Sequence, residues 1–563
     1  MRRDSKGIAL VTALAILTVV ALLVLGTVFS TQIESWTTRN DTTSTQAYYI
    51  AHAGLEKYKT IAFQSFRFYL ENLQKYGSEL STSATCGNLL SVGLDLNRDY
   101  VLDGTNDLLP GGSRTVNYAG GKYTIKFAAS GPNIVLTSIG QIHGARATVQ
   151  MVFEPKNAGL FSNAIFAGSG ASSKFINGGA TIWGSVYIQG DTSVSPPPYV
   201  IDSNGNFSMH NYYDQSDLLG LLGNRFTASD LTDMIGSTAT DQKDLCARLR
   251  VAYGQVATGG SSDLGDASAP SGYKGSLAGI NVYQGASDIS VSGASSLVAD
   301  NYPNGKLAYD LSQPMKLPTL GGSSPTPCKS DATKTWAQCL ADASTKFNPT
   351  AVPAGAPASC NLATITSGST LTFGSTDIDC SWTDAAGVDQ GFKYTYDSNN
   401  KQGTLTVHGL IDFSGYDVHF AQNVATKFSG KSTIMATADA SGQGGNIIVD
   451  GDVLPTTNFP KDDVLGLLAS NDLTFTGANE NQLSTGTQTA VGLFYAGNQA
   501  SIDKGAVVMG SVLANYISTS SGNAGQTAKV VQVPGLEYNL SPGFTDIPND
   551  MLATFRIVSY ERL

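Results

Sequence analysis

The sequence lacks the motifs that the common catalytic chemistries require. It contains no G-x-S-x-G, no glycine-rich phosphate loop and no zinc-binding helix, and its five histidines are scattered along the chain. His408 and His419 are near enough in sequence to meet on adjacent strands, although such a pair on a β surface usually has a structural role. We therefore expect that this protein is not an enzyme.

Charged side chains are also scarce, at 14 % of all residues, and they are unevenly distributed. Residues 1–155 carry a net charge of +2 and the remainder carries −13, against −11 for the whole chain. An acidic body repels polyanions at long range, which opposes broad nucleic-acid binding but leaves a local basic patch open. Four lysines in one region are candidates for a basic, DNA-binding face and are equally consistent with an ordinary surface: Lys393, Lys401, Lys427 and Lys431.

The six cysteines form no C-x-x-C pair, and no histidine stands at a zinc-site spacing from them. An even number of cysteines in an exported chain predicts disulfides, with the connectivity open. Cys328 with Cys339 and Cys360 with Cys380 are the pairs that lie close in sequence. The alternative is that the cysteines are buried free thiols.

Apolar residues are abundant at the start of the chain. No charged residue occurs between Ile8 and Phe29, and the basic residues Arg2, Arg3 and Lys6 precede this segment. About 20 apolar residues span a bilayer as a helix, and the basic flank places the N-terminus in the cytoplasm and the remainder outside. No small-residue cleavage site follows the segment, which argues against an ordinary secretory signal.

A helical period continues beyond this apolar segment. Small or apolar residues recur every three or four positions, so they share one face of a helix. These residues are Ala47, Ala51, Gly54, Tyr58, Ala62, Ser65, Tyr69 and Leu73. We predict one long helix over roughly residues 8–76, ended by Gly77.

The rest of the chain has the pattern of a mainly β protein. Residues 114–155 alternate in runs that are separated by glycine-containing turns, which predicts a small antiparallel sheet packed on the long helix. Residues 553–563 also alternate and are candidates to return to that sheet. Two stretches, 216–254 and 331–347, break the β pattern and predict short helices.

Between residues 156 and 545, repeats predict a different architecture. The segment Gly179–Tyr187 recurs at Gly505–Leu513 with five residues in register, and similar runs read AIFAG, LFYAG and LLASND. Repeats of about 20–30 residues with short strands predict the stacked coils of a large β-solenoid, or β-helix. A β-sandwich with accidental similarity is the alternative.

One acidic stretch has the pattern of a metal-binding loop. Five of its residues occupy positions 1, 3, 5, 7 and 9 of a calcium loop, the fourth through its carbonyl: Asp95, Asn97, Asp99, Val101 and Asp103. Tyr100 stands where glycine is usual, and Asn106 replaces the bidentate acid, with Asp107 adjacent. Both calcium binding and a solvated acidic turn fit this pattern, and calcium is the only cofactor that the sequence suggests.

The start of the chain resembles the signal of type IV prepilins. In that family a short basic leader ends in glycine and prepilin peptidase cuts after it, and the new N-terminus is methylated; the matching residues here are Gly7 and Ile8. The stretch from Ala47 to Tyr58 is similar to the alanine-rich part of PilX-type minor pilins. Major pilins have glutamate as the fifth mature residue, where this chain has Thr12, which implies a filament-tip subunit or a secretion-system pseudopilin. An uncleaved single-pass anchor is the alternative.

A pilin-like start followed by a β-solenoid resembles the ComZ-like competence minor pilins in overall plan. The implied organisation is a leader (1–7), a transmembrane part (8–29), a pilin-like head (30–155), a solenoid (156–545) and a C-terminal strand (546–563). The implied partners are other pilins through the N-terminal helix, the inner membrane before assembly, and extracellular DNA or a surface polymer once the protein is on the cell surface. The alternatives are a pseudopilin that contacts cargo and a membrane-anchored β-helix enzyme that acts on polysaccharide.

Overall fold

The computed structural model divides the chain into two compact units. It describes residues 5–71, 89–130, 133–156, 159–170, 176–177, 179–203, 207–222, 226–237, 239–293, 296–302, 307–308, 315–321, 325–348, 352–366, 368–477, 488–519, 527–547 and 554–562. The helix–sheet unit contains the described residues up to Tyr69, those of 89–156 and the C-terminal strand. The coil unit contains the described residues of 159–547.

A single long helix, α1, begins the helix–sheet unit and spans Ser5–Glu71. Its side chains from Ile8 to Phe29 are exposed, and α1 is the one helix of the described chain that is long and apolar enough to cross a membrane. The predicted stripe of small and apolar residues is confirmed, because each of its described members is buried: Ala47, Ala51, Gly54, Tyr58, Ala62, Ser65 and Tyr69. Leu73 and the predicted helix end at Gly77 lie outside the described residues.

An antiparallel sheet packs against the second half of α1. Its strands are β1 (Ser113–Tyr118), β2 (Gly121–Ser130), β3 (Asn133–Ile142), β4 (Ala145–Lys156) and the C-terminal strand (Thr554–Arg562), in that order. The first four strands confirm the predicted meander. The C-terminal strand pairs antiparallel with β4, so the chain returns to this sheet after the whole coil unit.

The helix and the sheet approach each other closely where small residues meet. A Cβ atom on Gly140 of β3 would lie 2.1 Å from the Ala47 carbonyl oxygen and 2.6 Å from the Ala51 nitrogen. On the helix side, a Cβ on Gly54 would lie 2.6 Å from the Tyr123 ring. Small residues are therefore required at these two points, because the α1 backbone lies against Gly140 and the Tyr123 ring lies against Gly54.

The coil unit consists mostly of short strands. Its first run is β5 (Ile165–Ala167), β6 (Ile176–Asn177), β7 (Ala180–Trp183), β8 (Val186–Ile188), β9 (Tyr199–Ser203), β10 (Ser208–His210), β11 (Arg248–Val251), β12 (Gln255–Thr258), β13 (Asp263–Leu264), β14 (Gly279–Asn281), β15 (Ile289–Val291) and β16 (Ser296–Leu297). Its second run is β17 (Thr345–Phe347), β18 (Thr370–Phe373), β19 (Ile378–Thr383), β20 (Asp389–Asp397), β21 (Gln402–Val407), β22 (Leu410–Ser414), β23 (Asp417–Phe420), β24 (Ala425–Ser429), β25 (Lys431–Thr437), β26 (Ile447–Val449), β27 (Asp452–Pro455), β28 (Val464–Ala469), β29 (Leu473–Phe475), β30 (Gln488–Ile502), β31 (Ala506–Ser518) and β32 (Ala528–Val531).

Short helices interrupt the strands of the coil unit. They are α2 (Gln215–Leu222), α3 (Ala228–Ile235), α4 (Trp336–Ala343) and α5 (Leu362–Ile365). The first three lie in the two stretches that break the β pattern, as predicted, although residues 248–251 of the first stretch form β11 instead. A capping box between Thr227 and Asp230 starts α3, because the threonine hydroxyl accepts a hydrogen bond from the Asp230 amide.

Most strands of the coil unit pair in parallel with the strand three places later in the chain. In the first run, β5 pairs with β8, β8 with β11 and β11 with β14. In the second run, β22 pairs with β25 and β25 with β28, while the long β30 pairs with β27, β28 and β29 together. Three successive strands therefore make one turn of a coil, and the coils stack through parallel hydrogen bonding. An antiparallel excursion, β19–β20–β21, interrupts this order, so β17 pairs with β22 and β18 with β23, five places later.

The two runs of strands join in an order that differs from the order of the chain. The strand β31 pairs with β5 and β6, and β32 pairs with β7, so residues about 350 positions apart in the sequence are neighbours. The chain therefore enters the stack in its middle at β5 and builds the coils toward one end, at β16. It then continues at the other end with β17 and builds coils back until β31 and β32 lie beside β5 and β7. Pro318 belongs to the segment that connects β16 to β17. This segment contacts the coils, since the Tyr495 hydroxyl of β30 donates a hydrogen bond to the Pro318 carbonyl at 2.7 Å.

The repeats found in the sequence occupy equivalent places in these coils. Val512 pairs with Ile165, which pairs with Val186, so the segments Gly505–Leu513 and Gly179–Tyr187 stand in register two coils apart. The runs that start at Leu467 and Leu493 also pair in parallel, offset by one residue, so that Leu467 faces Phe494 and Ala469 faces Ala496. Each repeated alanine or glycine thus marks the same point of a turn in successive coils.

The two predicted cysteine pairs have different outcomes. Cys328 and Cys339 form a disulfide that ties the segment before α4 to this helix. Cys360 and Cys380 are free, buried thiols, so the predicted bridge between them is wrong, although their side chains do hydrogen-bond to each other. Burial raises the pKa of both thiols, and this disfavours the thiolate that disulfide exchange requires.

Candidate functional site

The acidic loop of the helix–sheet unit brings three carboxylates together. One oxygen from each of Asp95, Asp99 and Asp107 lies within 4.8 Å of the others. Asp95 and Asp107 are buried, while Asp99 is exposed. Three carboxylates at this spacing repel one another, and a hard divalent cation with oxygen ligands would relieve that repulsion.

The ends of this loop are fixed to each other and to α1. The backbones of Leu94 and Leu108 exchange two hydrogen bonds, of 3.0 and 3.1 Å, which close the loop. The Tyr69 hydroxyl of α1 accepts a hydrogen bond from the Asp95 amide at 2.7 Å and donates one to the Gly93 carbonyl at 3.0 Å. The carboxylate cluster is therefore held on a rigid part of the unit.

The backbone of the loop is left-handed at the position where a calcium loop usually has glycine. Arg98 and Tyr100 both have left-handed backbones, with φ of 60° and 70°. The two Asp95 carboxylate oxygens accept hydrogen bonds from the amides of these residues, at 2.6 and 3.2 Å. Tyr100 thus takes the conformation usual for glycine, at roughly 1–2 kcal/mol, and its ring stacks on Phe68 at 5.4 Å, which offsets part of that cost.

The structure changes the set of residues that would bind a metal. Asp103 is turned away from the cluster, because its Oδ1 accepts hydrogen bonds from the Thr105 and Asn106 amides. These hydrogen bonds lower the pKa of Asp103. Asp107 takes the place predicted for Asp103, and one of its oxygens accepts the Asp103 amide at 3.0 Å.

The remaining predicted residues of the loop, Asn97 and Val101, donate hydrogen bonds to Asp99 of the cluster. The Asn97 amide group donates to Asp99 at 2.7 Å, and the Val101 backbone amide donates to the other Asp99 oxygen at 2.9 Å. The sequence pattern missed Asp107 as a member of the cluster because it lies one position beyond the twelfth residue of a standard loop. Burial raises the pKa of Asp107, and the nearby charges of Asp95 and Asp103 add to the rise.

The four candidate DNA-binding lysines do not form a free basic surface. Lys393 pairs with Asp379 at 2.8 Å, and Lys431 donates to the Asn539 side chain at 2.8 Å while burial lowers the pKa of its ammonium. Lys427 lies near Asp230, whose pKa is lowered mainly by the Thr227 backbone and slightly by the lysine charge. Lys401 lies exposed at the turn between β20 and β21. Three of the four lysines therefore have a carboxylate or an amide side chain nearby.

The predicted processing position lies in the first turns of α1. The backbone of Gly7 and Ile8 is helical, and the Ile8 side chain is 73 % exposed. The Thr12 hydroxyl donates to the Ile8 carbonyl at 2.6 Å, so it is satisfied inside its own helix. Thr12 therefore offers no negative charge that could neutralise the N-terminal amine of a neighbouring chain.

A histidine–carboxylate pair in the coil unit was not predicted. His419 lies 2.6 Å from Asp450, and the other Asp450 oxygen accepts the Thr476 hydroxyl at 2.6 Å. Although burial raises the pKa of Asp450, these hydrogen bonds hold it below its ordinary value. Within the described residues no serine or cysteine hydrogen-bonds to His419, so the group links successive coils without the parts of a catalytic triad.

Comparison with solved structures shows a similarity that extends over most of the chain. No family model matches the sequence, and no curated protein sequence matches it. Among solved structures, the chain is similar to the competence-associated pilin ComZ from Thermus thermophilus, with 28 % sequence identity and a TM-score of 0.62. The similarity covers 93 % of this chain and 98 % of that chain, so it includes both the helix–sheet unit and the coil unit.

Proposed function

We propose that this chain is a minor pilin that acts at the tip of a type IV pilus and presents its coil unit to an extracellular polymer. The similarity to ComZ supports a type IV pilus-related competence minor pilin, and it is the observation that carries the proposal. The exposed apolar part of α1 is consistent with anchoring in the inner membrane before assembly and with packing among other pilins afterwards.

The residue at the fifth mature position supports a place at the tip. In the major pilins, from which this chain departs at this position, a glutamate neutralises the N-terminal amine of the neighbouring subunit. Thr12 has no charge to offer, and its hydroxyl is already bonded to the Ile8 carbonyl. An uncompensated charge is costly in an apolar environment, so a chain with threonine here suits a position with no subunit beyond it.

The pairing of the coil unit supports its use as a β-solenoid that displays a surface. Parallel pairing of each strand with the third strand after it builds a stack that grows in one dimension. The faces of such a stack are long and regular, which suits an extended polymer. DNA is the leading ligand, and the acidic charge of this unit makes adhesion to another surface polymer the alternative.

If the polymer is DNA, binding by the mature protein in detergent should weaken steeply as salt rises. Each phosphate contact adds about 0.9 to the logarithmic salt slope, because binding releases condensed counterions. Charge reversal at Lys401 and Lys427 should reduce this slope by roughly 2 and weaken all DNA sequences alike. Fluorescence polarisation of labelled duplexes, titrated at low and moderate salt, measures both effects.

The matched control reverses two exposed lysines of β2, Lys122 and Lys126, and should leave the DNA affinity of the coil unit unchanged. No binding at low salt would remove DNA and leave adhesion or pilus assembly as the function. Binding that survives charge reversal in the coil unit would place the DNA contact elsewhere. The pseudopilin and polysaccharide-enzyme alternatives would be favoured by capture of secreted cargo or by release of sugar from a polysaccharide.

Processing gives a direct test of the pilin assignment. We expect the mature chain to begin at Ile8, because the leader that ends at Gly7 matches the prepilin signal. Mass spectrometry of the N-terminal peptide from assembled pili measures this, and methylation would add one methyl group to the Ile8 amine. A Gly7→Leu variant should remain uncut in the membrane. An intact Met1 terminus in assembled pili would contradict the assignment.

A second candidate activity is calcium binding by the acidic loop. We propose that Asp95, Asp99 and Asp107 bind one calcium ion, because their oxygens lie within 4.8 Å of one another on a rigid loop. The ion would hold the loop against α1 through Asp95, whose amide is bonded to Tyr69. Calcium would thereby stabilise the helix–sheet unit without taking part in a reaction.

A further inference from the structure

A second polar site lies in the helix–sheet unit, beside the acidic loop. A cavity of about 390 Å³ is bounded by α1, by the edge strand β1 and by the loop residues that follow Asp95. Lys57 and Gln64 line it from the helix, Arg114 lines it from β1, and Arg98 lines it from the loop. Three cationic side chains from three separate elements thus face one space.

The charge of this cavity is not neutralised from within. Among the described residues, no carboxylate forms an ion pair with Lys57, Arg98 or Arg114. The guanidinium of Arg98 lies over the Phe68 ring at 5.3 Å, and Arg114 donates only a long hydrogen bond of 3.5 Å. Asp95 is the one acid in the lining, and its carboxylate oxygens accept backbone amides of the loop.

We propose that this cavity binds a phosphate group through Lys57, Arg98 and Arg114. Within the lining, three cations and one carboxylate leave a charge of about +2, which suits a phosphate that carries −1.5 to −2 near neutral pH. Asp99 and Asp107 lie outside the lining but within 4.8 Å of Asp95, so their charges weaken this positive field. Arginine guanidinium groups present paired N–H donors that fit phosphate oxygens, and lysine adds a point charge. The Gln64 amide is a further donor at the cavity wall.

The source of the phosphate is not a membrane lipid. An α-helix rises about 1.5 Å per residue, so Lys57 lies roughly 40 Å along α1 from Phe29, where the apolar segment ends. Lipid headgroups are therefore out of reach of the cavity in the anchored protein. A soluble phosphate compound and the phosphate of a nucleic acid share the required chemistry. The inference concerns the helix–sheet unit and does not depend on the proposed function.

The test is a calorimetric titration of the mature chain, in detergent and without divalent cations, with inorganic phosphate. We expect saturable binding in the millimolar range or tighter. Lys57→Gln and Arg114→Gln should each weaken it by about tenfold, because a charge-assisted hydrogen bond contributes on that scale. The control Lys122→Gln removes an exposed lysine of β2 outside the lining and should leave the affinity unchanged.

Each further arm of the experiment decides one point. A short single-stranded oligonucleotide that competes with phosphate in the wild type, but not in Arg114→Gln, identifies nucleic acid as the source; absence of competition identifies a free phosphate compound. Acetate binding as tightly as phosphate would overturn the proposal in favour of carboxylate recognition. No saturation by phosphate, or equal affinity in all variants with unchanged melting temperature, would also overturn it.

Discussion

Replacement of Gly140 by alanine should unfold the helix–sheet unit at temperatures where the wild-type unit is folded. The added Cβ would lie 2.1 Å from the Ala47 carbonyl oxygen and 2.6 Å from the Ala51 nitrogen. Both are backbone atoms of α1, so no side-chain rotation relieves the overlap. The helix must move off the sheet, which opens the apolar contacts of Tyr123 and Ile125. We expect a loss of about 3 kcal/mol or more in the free energy of unfolding.

The comparison variant is Gly104→Ala, in the same unit. Its Cβ would meet nothing closer than the Leu109 side chain at 3.8 Å, so the free energy of unfolding should change by less than about 0.5 kcal/mol. Thermal melts followed by circular dichroism, with limited proteolysis of α1, measure both variants in the detergent-solubilised chain. Equal melting temperatures for the two variants would show that the helix does not approach β3 as closely as described.

Removal of calcium should lower the melting temperature of the helix–sheet unit by several degrees. Extracellular calcium modules bind with dissociation constants near 10⁻⁴ to 10⁻³ M, so a few millimolar calcium would stabilise the folded state by roughly 1–2 kcal/mol. For a unit of this size, about 1 kcal/mol corresponds to several degrees. Melts in calcium and in chelator, combined with calorimetric calcium titration, measure the effect.

Two isosteric variants test whether Asp107, as the structure indicates, or Asp103, as the sequence pattern predicts, binds the calcium ion. Asp107→Asn should abolish the calcium-dependent shift, because it removes one of the three clustered carboxylates. Asp103→Asn should retain most of it, because Asp103 accepts the Thr105 and Asn106 amides outside the cluster. The opposite result would restore the loop pattern of the sequence. A shift that is absent in the wild type would leave a solvated acidic turn.

Local periodicity made the helix–sheet unit predictable. The three- and four-residue spacing from Ala47 to Tyr69 corresponds to a buried face of α1, and the alternation within residues 114–155 corresponds to β1–β4. Both patterns repeat over a few residues, and burial of one face fixes them. The resemblance of the first residues to a prepilin signal is likewise local, because a peptidase reads a short linear motif.

The carboxylate cluster was predictable only in part. Asp95 and Asp99 follow from the spacing of a calcium loop, whereas Asp107 joins them because the Leu94–Leu108 hydrogen bonds bring the two ends of the loop together. The lysines of the coil unit show the same limit. The sequence showed that these lysines lie in one region of the chain. It did not show which side chains neighbour them, because a neighbour such as Asp379 beside Lys393 lies on a paired strand. A pairing partner across a sheet has no fixed distance in sequence.

The sequence by itself determined the apolar helix, the processing motif, the small antiparallel sheet and the repeated segments of the coils. The tertiary structure alone decided that the stack begins in its middle and that β31 closes against β5. It also identified β4 as the partner of the C-terminal strand, whose return to the small sheet the sequence had suggested. It also decided that Cys360 and Cys380 are free thiols, both of them buried. The physical reason is common to these features: periodicity and short motifs are local properties of a chain, whereas strand partners and burial depend on residues hundreds of positions away.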